Sequence, residues 1–251
     1  MKPRQRQSRI LDVVERDGEA TVEALAVGFD VSAETIRRDL AMLAETGALQ
    51  KVHGGARRLR LYAEGSFQER MAEHAAEKAV IAEKLAALIE PGDTLFLDAG
   101  TTTLFAAEAL VRVPRLTVIT NSLRIAQVMG RAEPGGKVFL LGGLLSADNA
   151  ETVGQMAIEA IGRFQADHAV IGPAALDALV GAMMADHDEA QIARAMCDNA
   201  RNRVILAHGA KLGRKAAHRI CRLDEIDVLI CDERPGDAFA AALQAAQVDL
   251  R

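Results

Sequence analysis

The sequence predicts an α/β protein in two parts. A small N-terminal unit of short helices closed by a hairpin precedes a larger domain built on an open, mostly parallel sheet. Three observations carry this. Beyond residue 90, apolar runs of strand length alternate with alanine-rich segments of helical pattern, as expected when helices cover both faces of a parallel sheet. Before residue 61, apolar residues recur every three or four positions between capping residues and glycines, which describes short amphipathic helices. Charge divides the chain at the same place: residues 1–61 carry a net +2 and the remainder −7, within a total of −5.

With 251 residues, half of them hydrophobic, the chain can bury a sizeable core and is not of disordered composition. No apolar run approaches the roughly 20 residues of a membrane span. The leading MKPRQRQSR is basic but lacks a following apolar stretch, so no secretory signal is read and a cytoplasmic location is expected. Cys197, Cys221 and Cys231 show no metal-ligand spacing, which points to buried reduced thiols, with no metal or other cofactor.

In the N-terminal unit, Pro3 suits a helix entry, and Ile10, Leu11 and Val14 mark a stripe running to about Asp17, where Gly18 ends it. Thr21 caps a second helix carrying Val22, Leu25 and Ala26. Gly28–Val31 then turns the chain into Ser32, the N-cap of a third. Ile36, Leu40 and Leu43 give that helix a buried stripe; Arg37 and Arg38 lie off it, and Ser32, Glu34 and Thr35 crowd its first turn. Two short helices joined by a tight turn make a helix-turn-helix, whose second helix suits a DNA groove. Gly47 closes the third helix. Leu49–Val52 and Ala56–Leu59 then read as strands of a wing around His53-Gly54-Gly55, whose glycines allow close backbone approach to a sugar-phosphate chain.

The stretch ETIRRDLAMLAETGALQKVHGGA resembles the signature of the DeoR family of bacterial transcriptional regulators in both its helix and its wing. The resemblance implies base-edge contact by the helix starting at Ser32 and groove or backbone contact by the wing. The DNA-binding candidates are Ser32, Glu34, Thr35, Arg37, Arg38, Lys51, His53, Gly54, Gly55 and Arg57. By chemistry, Arg37 and Arg38 suit phosphate or guanine, and Thr35 suits a phosphate or a thymine methyl. Asp39 is expected to orient an arginine, because a bare carboxylate repels phosphate.

Arg58–Ser66 reads as a linker and Phe67–Ile89 as one long helix stopped by Pro91-Gly92. The expected domains are residues 1–58, a connecting segment at 59–74, and residues 75–251. Strands are expected at Thr94–Leu97, Leu116–Thr120, Val138–Leu141, His168–Ile171, Val204–Ala207 and Val228–Cys231. Ligands of such sheets bind beyond the carboxyl ends of the strands. There the sequence places Asp98-Ala99-Gly100-Thr101-Thr102-Thr103, then Asn121-Ser122, then Gly142-Gly143. Hydroxyls, glycines and helix N-termini in this pattern make an anion cradle. Lys211, in a loop after a later strand, can pair with a phosphate or stand as a solvated loop charge.

The segments DAGTTT, ITNS, LLGG, EAQIARAM and KLG, in that order, also resemble the effector domain of the DeoR family, and so imply a fold like those of ribose-5-phosphate isomerase and the CoA-transferases. Carried over by motif, the effector-binding candidates are Asp98, Gly100, Thr101, Thr102, Asn121, Ser122, Gly142, Gly143, Glu189 and Lys211. The chain departs from the family pattern at Pro173–Leu176, at Arg194 and at Ala207–Ala210, where His208 offers a replacement hydrogen-bond donor. The implied function is a repressor of a carbohydrate or polyol operon, not an enzyme, with no catalytic residues. It would bind double-stranded DNA as a homo-oligomer, because one short recognition helix covers few bases, and be relieved by a phosphorylated effector. The alternatives are an isomerase-like enzyme with an appended DNA-binding module, for which Asp98, Glu189 and Lys211 could be written as acid–base groups, and a DNA-binding scaffold without a ligand.

Overall fold

In the computed structural model, which describes residues 3–45, 49–52, 54–57, 65–131 and 135–251, the chain divides into two compact units, Met1–Arg60 and Leu61–Arg251. The first contains α1 (Pro3–Asp17), β1 (Glu19–Thr21), α2 (Val22–Phe29), α3 (Ala33–Glu45), β2 (Gln50–Val52) and β3 (Gly55–Arg57). Ile36, Leu40 and Leu43 pack against Ile10, Val14, Val22 and Leu25, so the apolar stripe of α3 becomes the floor of the unit. Thr21 Oγ1 accepts the Ala24 amide at 3.1 Å to start α2, and Asp30, at φ 52°, ends it. β1 was not expected. It completes an antiparallel sheet in the order β1-β3-β2, which makes the wing three-stranded. Gly47 and His53, and the expected linker as far as residue 64, lie outside the described residues.

The second unit opens with α4 (Phe67–Ala72) and α5 (Ala75–Leu88). One continuous helix was expected here, and the structure corrects this. The helix breaks at Glu73–His74, where Glu73 is extended and His74 takes φ 54°. Two side-chain contacts, one local and one tertiary, accompany the break. The Lys78 ammonium donates to the carbonyls of Arg70 and Glu73, ending α4, and the His74 ring stacks on His208 with centroids 4.3 Å apart.

There follow β4 (Thr94–Leu97), α6 (Thr101–Leu110), β5 (Thr117–Thr120), α7 (Leu123–Met129), β6 (Lys137–Leu140), β7 (Leu144–Ser146), β8 (Glu151–Val153), α8 (Gln155–Ile161) and β9 (Ala166–Ile171). The chain continues through β10 (Ala175–Asp177), β11 (Gly181–Met184), α9 (His187–Asp198), β12 (Ala200–Leu206), β13 (His218–Cys221), β14 (Val228–Ile230), α10 (Asp237–Ala245) and β15 (Asp249–Leu250). Seven strands form one parallel sheet in the order β15-β14-β12-β9-β4-β5-β6. Alternate residues serve opposite faces, as strand geometry requires. Leu95, Leu97, Val118, Val170, Val204 and Leu206 join one apolar layer with α5 and α6, whereas Phe96, Ile119, Ala169, Ile171 and Ile205 join the other with α8 and α9.

The hairpin β7–β8 and the antiparallel sheet β10-β11-β13 are additions to the expected plan. The three cysteines are buried free thiols. Among the described residues, no helix is long and apolar enough to cross a membrane.

Candidate functional site

On α3, Ser32 Oγ accepts the Thr35 amide at 3.2 Å, and the two hydroxyls lie 2.9 Å apart, which fixes the first turn. Arg37 and Arg38 are exposed, and each approaches Glu34 at 3.6 Å. Asp39 turns inward. Its carboxylate accepts Arg6 Nε at 2.5 Å and Gln7 Nε2 at 2.9 Å from α1, both side chains of the ion pair being nearly buried. Thus the arginine that Asp39 orients belongs to α1, and Arg37 and Arg38 keep their outward course.

Lys51 and Arg57 are exposed on the wing, and Gly54 is an open turn at φ 79°. Gly55 differs from Gly54. It is buried in the central strand of the wing sheet, paired with both β1 and β2. A Cβ there would stand 2.3 Å from the Ala20 carbonyl oxygen. Glycine is required at 55 by the approach of β1, which gives the residue a packing reason of its own. His53 lies outside the described residues.

In the sheet domain, β4 leads rightward to β5 and β6, whereas β9 leads the other way to β12, β14 and β15. The order therefore reverses between β4 and β9, and a crevice opens at such a switch point. Asp98 sits there. Its amide donates to the Val170 carbonyl at 3.1 Å, and its carboxyl receives the amides of Ala99 and Gly172. The side chain is 1% exposed, and burial, then the charges of Glu151 and Glu189, push its pKa well above the usual carboxylate range. Gly100, at φ 143°, is the N-cap of α6 and supplies no side-chain cap, so the first amides of that helix point toward the strand ends unclaimed by a capping side chain.

Thr101 and Thr102 in this first turn are nearly buried, and Gly172 packs against Thr102 and Thr103. Among the described residues, Asp98 Oδ2, Thr102 Oγ1 and Asn121 Oδ1 are buried with no hydrogen-bond partner. Orphaned buried polar atoms are rare in native proteins and call for an explanation.

Beside them lies a network that reading by motif missed. Asn121 Nδ2 donates to Glu151 Oε2 at 3.0 Å; Asn149 Nδ2 donates to Glu151 Oε1 at 2.8 Å and to Glu189 Oε1 at 2.7 Å. Arg70 Nη2 donates in turn to Asn149 Oδ1. Burial raises the pKa of Glu151, against hydrogen bonds from Asn149, Glu189 and Asn121 and the charge of Arg70. Asp98, Asn121 and Glu189 are thus brought together, and Glu151, Asn149 and Arg70 join them. The signal available in the sequence was the polar run Asp148-Asn149-Ala150-Glu151 after Gly142-Gly143.

Ser122 serves first as a helix cap, accepting the Ile125 amide at 3.3 Å. Gly142 is exposed and open at the end of β6; at Gly143, φ 155°, a Cβ would meet the Val153 carbonyl at 2.6 Å, so that glycine serves the packing of β8. Lys211 is buried rather than a solvated loop charge, and its ammonium donates to the Pro173 carbonyl next to Gly172, on the β9 side of the crevice. His208 is buried too, its pKa pushed down to about 3 by burial and by Lys211, His74 and Lys78, so the ring is neutral with an unpartnered Nδ1. Arg194 pairs with Asp198 and Glu225 at 2.9 Å each, a structural role on α9.

Residues 6–60 match the DeoR-like helix-turn-helix domain, and residues 73–233 match the DeoR C terminal sensor domain. The chain is 33% identical over 245 residues to the HTH-type transcriptional repressor CsqR of Escherichia coli K12, covering 98% of this chain and 94% of that protein. It is 31% identical to the Glycerol-3-phosphate regulon repressor of the same organism, over 94% of this chain and 93% of the relative. It is 34% identical to the repressor GlcR of Bacillus subtilis, over 96% and 93%. Among solved structures, a chain of the tetrameric eIF2B-beta2-delta2 complex from C. thermophilum aligns with 96% of this chain and 87% of its own length, with a TM-score of 0.50 and 13% identity, a likeness of fold alone. The ribose 5-phosphate isomerase of Methanocaldococcus jannaschii aligns with 56% of this chain and 55% of its own, with a TM-score of 0.41 and 14% identity. The relatives are named as repressors and not as enzymes, and with both of its parts matched, the chain belongs to the DeoR family of transcriptional regulators.

Proposed function

We propose that this regulator represses a carbohydrate or polyol catabolic operon and is released from it by a phosphorylated sugar-type effector bound at the strand ends. Residues 1–58 bind operator DNA, 59–74 connect, and 75–251 sense the effector, in a cytoplasmic homo-oligomer that pairs two recognition helices on adjacent half-sites. Arg37 and Arg38 take phosphate or guanine, and Lys51 and Arg57 contact the backbone from the wing.

The observation that carries the sensor half is the set of three buried, unpartnered polar atoms, Asp98 Oδ2, Thr102 Oγ1 and Asn121 Oδ1, beside the uncapped N-terminus of α6. A ligand with a phosphate and several hydroxyls satisfies all of them. The phosphate takes the α6 amides, with Lys211 as the nearby cation. With its pKa raised by burial, Asp98 is shifted toward its protonated form, which repels a phosphate less and can donate a proton to a ligand oxygen. The hydroxyls donate to Glu151 and Glu189. The name of one relative, a glycerol-3-phosphate regulon repressor, fits this chemistry. Release follows as a population shift: the effector must favour the state that binds DNA poorly, and nearly complete switching takes about 5.5 kcal/mol of discrimination.

The test is a thermal-shift panel of glycerol 3-phosphate, ribose 5-phosphate, glucose 6-phosphate and fructose 6-phosphate, with the unphosphorylated polyols as controls. At least one phosphorylated compound should stabilise the protein, and Thr101→Asp, which places a negative charge at the start of α6, should abolish that shift while leaving DNA binding intact. A panel without any shift, or a shift unchanged in Thr101→Asp, would overturn the reading.

A further inference from the structure

The helix break at Glu73–His74 and the network around Asn149 belong to one device. Asn149 is 6% exposed and its amide is saturated: both hydrogens go to carboxylates, Glu151 and Glu189, and its oxygen takes Arg70 of α4. The adjacent Asp148 accepts the Phe67 amide at 3.1 Å, at the start of the same helix. Loop 148–149 therefore grips α4 at both its first residue and its middle, while Glu151, two residues further on, reaches into the strand ends. Arg124 stacks over the Phe67 ring at 4.2 Å and closes the grip.

α4 has six residues, too few to be a stable helix without such contacts. The segment Phe67–Ile89 nevertheless carries an unbroken helical pattern, with neither glycine nor proline at Glu73-His74. His74 adopts φ 54° there, a region unfavourable for a residue with a Cβ. The apolar spacing thus favours one continuous helix, and side-chain contacts from Lys78 and from the distant His208 hold the broken one. An element whose two arrangements are opposed in this way is what a ligand can switch. In chain order it is also the first described helix after the DNA-binding unit.

We infer that α4 reads the occupancy of the strand-end site through Arg70 and Asn149. A ligand hydroxyl that engages Glu151 or Glu189 competes with the Asn149 amide, loosens its hold on Arg70, and frees the segment to close the break at His74. Arg70 and Asn149 are positioning residues in this scheme. The inference rests on the reading of the strand ends as the effector site. Its test contains no ligand, so its failure is seen separately from that of the ligand panel.

Hydrogen exchange of the full-length protein, read by mass spectrometry, measures the grip directly. Glu189→Ala, on α9, removes an acceptor of Asn149 and should speed exchange across residues 67–72 at least tenfold, with β4 and β9 unchanged within twofold. Adding His74→Gly, which relieves the left-handed backbone, should restore most of the lost protection; His74→Ala should not. Unaltered exchange in α4 on Glu189→Ala would overturn the coupling. So would α4 amides that already exchange without protection in the parent protein. Equal effects of the glycine and alanine variants would overturn the role given to the break.

Discussion

Arg37 and Arg38 on α3 leave more than half of each side chain in solvent, whereas Asp98, Thr102 and Asn121 at the strand ends are at most 2% exposed. In the proposed function the two surfaces face different ligands. A DNA duplex brings its own dense charge, so the protein needs only outward cations on a rigid helix, and keeps them solvated until contact. A small metabolite brings few groups, so its site must be organised beforehand, with polar atoms withdrawn from water and left without protein partners. The first surface should therefore be sensitive to removal of side chains and insensitive to their protonation. The second should respond to both.

The rigidity of α3 offers the largest test. Arg6 and Asp39 form a nearly buried ion pair joining α1 to α3. Asp39→Ala leaves a buried guanidinium without its carboxylate, and removing one partner of such a pair costs about 3–5 kcal/mol. Thermal unfolding of the N-terminal unit should drop sharply, and DNA binding should be lost with it, while effector stabilisation of the sheet domain remains. If DNA binding survived, α3 would not owe its presentation to that pair.

Next in size are the arginines themselves. Arg37→Ala or Arg38→Ala should weaken operator binding by about 1–3 kcal/mol if the side chain reads a base, or lower the salt slope of binding by about 1 if it holds a phosphate. Melting temperature should stay put, since neither side chain packs in the core. Fluorescence anisotropy over a range of salt separates the two roles. Unchanged affinity in the double variant would remove α3 from the interface.

A third test bears on protonation at the sheet site. Asp98 has a raised pKa in the folded chain, so between its unfolded value of about 3.9 and that raised value the native state binds the extra proton. Its contribution to stability is fully present below the unfolded pKa and fades as pH rises through this window. Asp98→Asn cannot ionise and escapes that loss. Its melting temperature relative to the parent should rise as pH climbs above the unfolded value of about 3.9. A constant difference would mean that Asp98 titrates as an ordinary carboxylate.

The sequence reveals these two regions unequally. The stripe Ile36, Leu40, Leu43 and the outward arginines follow from helical spacing alone. Six strands of the parallel sheet are visible as apolar runs, a signal of composition that needs no period. The wing's third strand, the hairpin β7–β8 and the sheet β10-β11-β13 have strands of three or four residues, too short for a period to show. At Gly181 the need is visible only in space, since a Cβ there would stand 2.1 Å from the Cys221 carbonyl. The break at His74 is marked by neither glycine nor proline; a nearby lysine, Lys78, and a distant ring, His208, hold it. Glu151, Asn149 and Arg70 escaped notice because no motif joins them, and the fold alone brings them to Asp98 and Asn121.

Glu34 offers the smallest effect and the finest test of the contrast. It is exposed, and it approaches both Arg37 and Arg38 at 3.6 Å. Exposed pairs of this kind contribute at most about 1 kcal/mol, so Glu34→Gln should leave stability almost unchanged. On DNA the balance differs. In the proposed complex each arginine exchanges Glu34 for a phosphate or base edge, and the Glu34 carboxylate, in the first turn of α3, faces the negative duplex. Removing its charge should raise affinity for random-sequence DNA a few-fold and narrow the ratio of specific to non-specific binding, because the carboxylate disfavours contacts in which the arginines are not fully engaged. Competition binding against random duplex at two salt concentrations reads both quantities. A fall in operator affinity instead would make Glu34 a reader of bases, accepting from a cytosine amine, rather than a guard on the two arginines.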